Sequence, residues 1–423
     1  MKVLFLNTYE KYGGAAMACY RLYQSLKKNT NATYHLLVSD IDKNNENTNT
    51  INPNFIAQKI QKIKFITERL SYWAYMKNKS LKYAFSPANV GQSIINNPLV
   101  KNADILHLNW INFGFLSLNE LEKICQSDKK IIWTMHDMWA FTGGCHYAGA
   151  CENFYTNCGN CQFLKKPSIK DWSFQIFERK KEIIKNKKIT FVGSSNWITK
   201  QAQKSGLFNE NHQFYHIPTP IDTEIFKPLD KEKLRQELKN TTIDDKFLLL
   251  FGAMNIADKR KGFHLLLEAL QILAQKNKKL PLHLLIFGKS TPEMLEKLPF
   301  DYTNLGVLKG DIEIRKAYNL AHTFVLPSLE DNLPNTILES LACGTPSLSF
   351  NLGGMPEMID NELNGLITTE NSAENLAENI KKMIDFWINK PDFFYILQEN
   401  ARKKAMLNYS EKVVAEKYFS KYS

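Results

Sequence analysis

The chain has 423 residues with 44% hydrophobic, 12% aromatic and 23% charged side chains. That length is about twice what one hydrophobic core usually serves, so two domains are expected, and the composition excludes a disordered or collagen-like chain. The net charge of +11 is uneven: residues 1–218 carry 28 Lys+Arg against 15 Asp+Glu, the remainder 26 against 28. Such asymmetry implies two units with different partners, the basic one suited to nucleic acid, an anionic membrane surface or an acidic substrate. No window offers the ~18 unbroken apolar residues of a membrane span. The opening MKVLFLNTYEKYGG reads as a buried strand, not a signal peptide, and seven cysteines without an export signal imply thiols or metal ligands in a reducing cytoplasm.

In chain order, Lys2–Asn7 is a compact apolar strand, followed by Gly13-Gly14 and a helical pattern over Ala15–Lys27. Residues 55–85 hold seven Lys/Arg and one acid, with Phe55, Ile56, Ile60, Ile63, Ile66, Leu70 and Trp73 near helical spacing. Two readings stay open for this basic amphipathic helix: an anionic membrane interface, or a core-facing helix with a solvated basic side. Nucleic-acid binding is not supported, since no aromatic-glycine RNA motif, zinc-finger helix or helix-turn-helix pattern accompanies the charge. Further strands are expected at Tyr34–Val38, Ile105–Leu108, Lys130–Met135 and Ile189–Val192. The loop 143–162 carries Cys145, Cys151, Cys158 and Cys161, a C-x5-C-x6-C-x2-C spacing that can wrap one tetrahedral metal ion, with His146 as a substitute ligand. Structural zinc, reduced thiols and a disulfide all fit that spacing.

Prolines at 218, 220 and 228 mark the join. The pattern then restarts with Phe247–Gly252, a helix His264–Gln275, Leu282–Gly288, Thr323–Pro327, a helix Ile337–Ala342 and Pro346–Phe350, and ends in a lysine-rich helical stretch, Asn400–Tyr422. Strands alternating with helices imply parallel sheets with ligands at the strand carboxyl ends.

The most informative stretch is VLPSLEDNLPNTILESLACGTP, residues 325–346. A strand ends at Pro327-Ser328, the loop Asp331-Asn332-Leu333-Pro334 follows, and a helix opens at Asn335, where first-turn amides suit an anionic or polyhydroxyl ligand. Asp331 and Glu339 form an acid-x7-acid pair able to hold two hydroxyl-bearing parts of one ligand. A Lys-Arg-Lys triplet, 259–261, precedes Gly262 at another junction of strand and helix.

Pro327-Ser328, Asp331, Glu339 and Ala342-Cys343-Gly344-Thr345-Pro346, with Gly353-Gly354-Met355-Pro356-Glu357, Asn364-Gly365 and IDTEIFKP at 221–228, resemble the motifs of retaining family 4 glycosyltransferases. A subgroup that assembles bacterial polysaccharides shares the Thr-Gly-Gly-Cys entry to a cysteine loop. The resemblance implies the GT-B fold: two doubly wound, Rossmann-like α/β domains facing a cleft, with the C-terminal helix returning to the first. It implies an N-terminal acceptor-side domain, 1–216 plus about 409–423, and a nucleotide-sugar-binding domain, 217–408. It also implies a retaining hexosyltransferase that moves a sugar from a UDP- or GDP-type donor to a glycan or lipid-linked acceptor. No catalytic cofactor is implied, and the protein would work in the cytoplasm or at the inner face of the membrane.

Residue by residue, the resemblance assigns Lys261 to the donor diphosphate, with Arg260 or Lys259 replacing the family's Arg, whose position holds Ala253. It assigns Glu339 to the ribose and Asp331, where the family has Glu, to the donor sugar. Asn332, Leu333, Pro334 and Asn335 belong to the same segment. In the first domain it assigns Gly13 and Gly14 to a glycine-rich loop and His136 to the donor sugar, with Asp137 expected to orient the His136 ring. Two rivals remain: a nucleotide-sugar epimerase or phosphorylase of the same fold, and a non-catalytic scaffold protein.

Overall fold

In the computed structural model, strand β1 (Lys2–Tyr9) buries residues 3–8 on both of its faces. Val3 and Phe5 join one hydrophobic cluster while Leu4 and Leu6 join another. Successive side chains point to opposite faces of a strand, so a continuous apolar run belongs inside a sheet covered on both sides. The structure describes residues 1–40, 48–237, 243 and 245–422. Residues 41–47, 238–242, 244 and 423, which the expected domain ranges and C-terminal helix include, lie outside the described residues.

The chain divides into a unit of Met1–Thr219 with Val414–Ser423 and a unit of Pro220–Val413. The first unit adds β2 (Thr33–Asp40), β3 (Asn49–Thr50), β4 (Ile105–Leu108), β5 (Lys130–Met135), β6 (Ile189–Gly193) and β7 (His212–His216). All its pairings are parallel, in the order β3-β2-β1-β4-β5-β6-β7. The order reverses between β1 and β4, where the carboxyl ends of a doubly wound sheet form a ligand crevice.

The last helix, Glu411–Tyr422, buries Val414, Ala415, Tyr418 and Tyr422 against the β1 face that carries Val3 and Phe5. The Tyr422 hydroxyl meets His107 Nδ1 at 2.8 Å and the Tyr418 hydroxyl meets Thr134 Oγ1 at 3.1 Å. Sequence suggested one helical stretch through Asn400–Tyr422. The structure instead has a helix Pro391–Lys404, a π turn Ala405–Tyr409 and then the last helix. The break lets Ile221 N–H bond the Tyr409 carbonyl at 2.8 Å.

The second unit holds β8 (Phe247–Asn255), β9 (Leu282–Lys289), β10 (Tyr302–Gly306), β11 (Thr323–Leu326), β12 (Ser347–Ser349) and β13 (Gly365–Ile367), in the parallel order β10-β9-β8-β11-β12-β13. Its own reversal falls between β8 and β11. Helices Phe263–Lys276 and Ala373–Asn389 contribute Leu266, Leu270, Leu376 and Ile380 to one continuous core.

The helix Phe55–Tyr75 departs from the core-facing reading. Its buried residues are Glu68, Arg69 and Tyr72, while Ile56, Ile60, Ile63, Leu70 and Trp73 are exposed.

Candidate functional site

In the second unit, the turn after β8 and the loop after β11 meet at the switch point. The Lys259–Lys261 turn starts at Asp258, whose Oδ1 accepts the Arg260 N–H at 3.0 Å. Leu329 N–H donates to the Arg260 carbonyl at 2.8 Å, tying the turn to the β11 loop. Gly262 follows at φ +75, and a Cβ there would run into the Pro327 carbonyl. Only glycine accepts both that backbone sign and that close approach. The two loops are thereby drawn together, and Lys261 Nζ reaches Asp331 Oδ2 at 2.5 Å.

Asp331 is held from its other side as well. Gly353, at φ +60, lies against the Asp331 carbonyl, which also accepts the Gly354 N–H at 3.2 Å. Asn332, Leu333 and Pro334 are buried, and Asn335 opens the helix Asn335–Ala342 half-buried. That helix has no side-chain cap at its start, and the Pro334 carbonyl takes the Ile337 N–H at 3.1 Å. Ile337, Leu338 and Leu341 anchor it in the core. Glu339 is buried with them and accepts a hydrogen bond from the Tyr318 hydroxyl at 3.0 Å. Arg260 points elsewhere: its guanidinium pairs with Asp258 Oδ2 at 2.8 Å and is about half exposed. Ala253 is buried inside the extended end of β8.

In the first unit, Gly13 precedes the helix Gly14–Asn29 at φ +95, and its carbonyl receives the Met17 N–H at 3.0 Å. A Cβ on Gly13 or Gly14 would meet nothing within 4 Å, so Gly13 is required by its backbone sign and both glycines border open space. His136 follows β5 and is half-buried. Its Nε2 lies 3.0 Å from Asn109 Oδ1. An amide oxygen only accepts, so the ring proton sits on Nε2. Burial lowers the His136 pKa from 6.5 to about 4, with Asp137 opposing the shift, and the ring is neutral at pH 7.

Asp137 does not take the ring-orienting role expected toward His136. Its Oδ2 accepts from His146 Nδ1 at 2.7 Å and Trp110 Nε1 at 2.8 Å, and its Oδ1 accepts the Trp139 N–H at 2.8 Å. Burial alone would raise its pKa; His146 and these hydrogen bonds outweigh that and hold it below the usual value. The sequence reading missed Asn109 and Trp110. Both stand just beyond β4 at the reversal of strand order, and that position at a strand carboxyl end was the available clue.

Cys145, Cys151, Cys158 and Cys161 line one small cavity of about 20 Å³, somewhat more than the ~10–15 Å³ one water needs. All are free thiols. Cys158 Sγ accepts the Gly143 N–H at 3.1 Å. Burial pushes the Cys158 thiol up to about 12 and Cys161 to about 11, and N–H bonds from Gly143 and Phe163 respectively oppose it. As the side chains stand, no three His, Cys, Asp or Glu groups among the described residues could hold a metal ion. Lys180 is buried nearby, over the Trp139 ring at 3.3 Å, and desolvation lowers its pKa to about 7.

Residues 245–385 match the family model described as glycosyl transferases group 1. The chain is 27% identical over 208 residues to the N,N'-diacetylbacillosaminyl-diphospho-undecaprenol alpha-1,3-N-acetylgalactosaminyltransferase of Campylobacter jejuni, covering 48% of this chain and 52% of that one. It is 24% identical over 199 residues to the capsular polysaccharide biosynthesis glycosyltransferase CapM of Staphylococcus aureus, covering 46% and 50%. The chain thus spans about half the length of these curated relatives. Among solved structures, HepE of Anabaena in complex with UDP-glucose matches 100% of this chain and 99% of its own, at TM-score 0.64 and 14% identity, a likeness of fold. The two parallel α/β sheets and the likeness to HepE show the GT-B fold, and the group 1 glycosyl transferase match lies within the second unit.

Proposed function

We propose that the protein transfers a hexose, with retention, from a nucleoside diphosphate donor to a glycan or lipid-linked glycan acceptor in polysaccharide assembly. The observation that carries this reading is the joining of Lys261 to Asp331 at the strand reversal of the second unit, one loop away from buried Glu339. A cation fixed at a strand carboxyl end suits a diphosphate, and a carboxylate further along suits a ribose diol. HepE in complex with UDP-glucose favours a UDP-sugar, and the Campylobacter relative, named for a diphospho-undecaprenol substrate, favours a lipid-linked acceptor.

Negative charge grows on the diphosphate as the glycosidic bond breaks, and Lys261 meets that charge. Electrostatic stabilisation of this kind is usually the largest catalytic contribution. Asp331 holds the ammonium in place before the donor arrives. His136, neutral and oriented by Asn109, offers the sugar a hydrogen-bonding ring and no cation. In this reading the acceptor oxygen bonds the anomeric carbon as the bond to the diphosphate breaks, and the departing diphosphate accepts the acceptor proton. The test is a panel of UDP- and GDP-sugars assayed for nucleotide release with and without undecaprenyl-diphosphate-linked glycans. Acceptor-dependent release from one donor supports the reading; an isomerised donor, or no turnover with any pair, removes it.

A structural zinc ion at the cysteine loop belongs to the same proposal. One cavity shared by four thiols and the N–H bonds to two of the sulfurs support it. Binding requires the thiols to rotate inward, because as they stand no three can hold an ion.

A further inference from the structure

The helix Phe55–Tyr75 presents its polar side to the protein and its apolar side outward. At about 100° per residue, Ile56, Ile63 and Leu70 fall on one line, with Ile60, Ile66 and Trp73 beside it. These side chains are exposed, Ile56 by 70%, Ile63 by 61% and Trp73 by 54%. The opposite side is fastened by a buried ion pair, Arg69 to Glu68 Oε1 at 2.9 Å. Arg69 also donates to the Lys82 and Phe85 carbonyls at 3.0 Å each and covers the Phe113 ring at 4.3 Å. Ser86 Oγ donates to the same Glu68 oxygen at 2.5 Å. These contacts set the rotation of the helix, so the outward apolar line is part of its packing.

Within residues 54–85 the exposed charges have one sign. Residues 54–85 hold Lys59, Lys62, Lys64, Lys77, Lys79 and Lys82 beside Arg69, and their single acid, Glu68, is fully buried. Long lysine stems flanking an apolar line can follow it inward while their ammonium groups stay at headgroup level.

We propose that this face docks on the surface of an anionic lipid bilayer, the helix lying in the interfacial plane. Charge complementarity selects that occupant. A second copy of the chain would bring the same lysines against each other, whereas anionic headgroups meet them and acyl chains take the isoleucines. The inference stands on the helix alone and is tested without donor or acceptor, so its failure leaves the transfer reading untouched.

The experiment is co-sedimentation of the full chain with phosphatidylcholine vesicles, with and without phosphatidylglycerol, over a salt series. Two variants accompany it: Ile56→Ser/Ile63→Ser/Leu70→Ser, and Lys59→Glu/Lys62→Glu/Lys64→Glu. Ile56, Ile63, Leu70, Lys59 and Lys62 are exposed and Lys64 is half-buried, so thermal melts of both variants accompany the binding assay and show that each is folded. We expect binding only to phosphatidylglycerol vesicles, weakening with salt. The charge reversal should lower affinity by about 10²-fold or more, and the serine variant should lose binding at every salt concentration. Equal binding by parent and variants would overturn the proposal. So would no binding at low salt. A concentration-dependent dimer abolished by the serine changes, with vesicles ignored, would overturn it in favour of a second copy, and a soluble monomer ignoring vesicles would leave the face to an acidic protein partner.

Discussion

Lys261, Glu339 and His136 are held in ways that separate their effects. Lys261 pairs with a nearly buried carboxylate, and in the proposed reaction it meets the charge that grows on the diphosphate, so Lys261→Ala should lower turnover by about 10²-fold or more at saturating donor. Glu339 accepts from the Tyr318 hydroxyl and, in the proposed reading, binds the ribose. Glu339→Gln should therefore raise the donor KM more than it lowers kcat. Steady-state kinetics on the two variants checks both, and near-normal values at limiting donor would remove the site assignment. His136 also predicts a pH effect. Its folded pKa, about 4, lies below its ordinary 6.5, so the unfolded chain binds the extra proton between those values. Stability should fall as pH drops through that window, with His136 contributing a slope of at most about 1.4 kcal/mol per pH unit. Denaturant melts of His136→Asn, compared with the parent at pH 4 to 7, should show a shallower decline; His107, lowered to about 3, keeps its own share. Lys261 and Glu339 could be singled out from the sequence because each lies in its own contiguous motif. Asn109 was not, because it reaches His136 through the pairing of Leu108 with Trp133, and strand adjacency is not written in either segment. Asp137 was assigned to the wrong ring because neighbouring residues at a strand end point in different directions.

At the scale of elements, central strands were readable and edges were not. β1, β4, β5, β8 and β11 are buried on both faces and read as apolar runs. β3, β10 and β13 are short or half-exposed edge or near-edge strands, and β7 carries His-Gln-Phe-Tyr-His with one buried residue. Half-solvated strands lack the continuous hydrophobicity that marks a parallel sheet's interior. The cysteine loop is an element with almost no regular structure, a single 3-10 turn at Asn153–Tyr155, and the proposed zinc ion would cross-link it. Purified protein should contain about one zinc per chain, and Cys158→Ser or Cys161→Ser should lower both metal content and melting temperature. Metal-free protein with four titratable thiols and an unchanged melt would end the zinc reading.

For the molecule as a whole, the return of the C-terminal helix is the contact of longest sequence separation. Tyr418 and Tyr422 are almost fully buried in the first unit, and their hydroxyls meet Thr134 and His107. Tyr418→Ala should destabilise that unit by about 3 kcal/mol or more, read as a lower melting transition in calorimetry. The alternation of strand and helix, the division into two parallel sheets and the motif around Asp331 and Glu339 follow from the amino-acid order itself, because they rest on local periodicity and contiguous residues. Which way the helix Phe55–Tyr75 turns, which ring Asp137 holds and which carboxylate Lys261 meets were decided by tertiary structure. Each depends on groups from other segments — the Lys82 and Phe85 carbonyls, His146, and the approach that Gly262 allows — and periodicity within one segment carries no information about what packs against it.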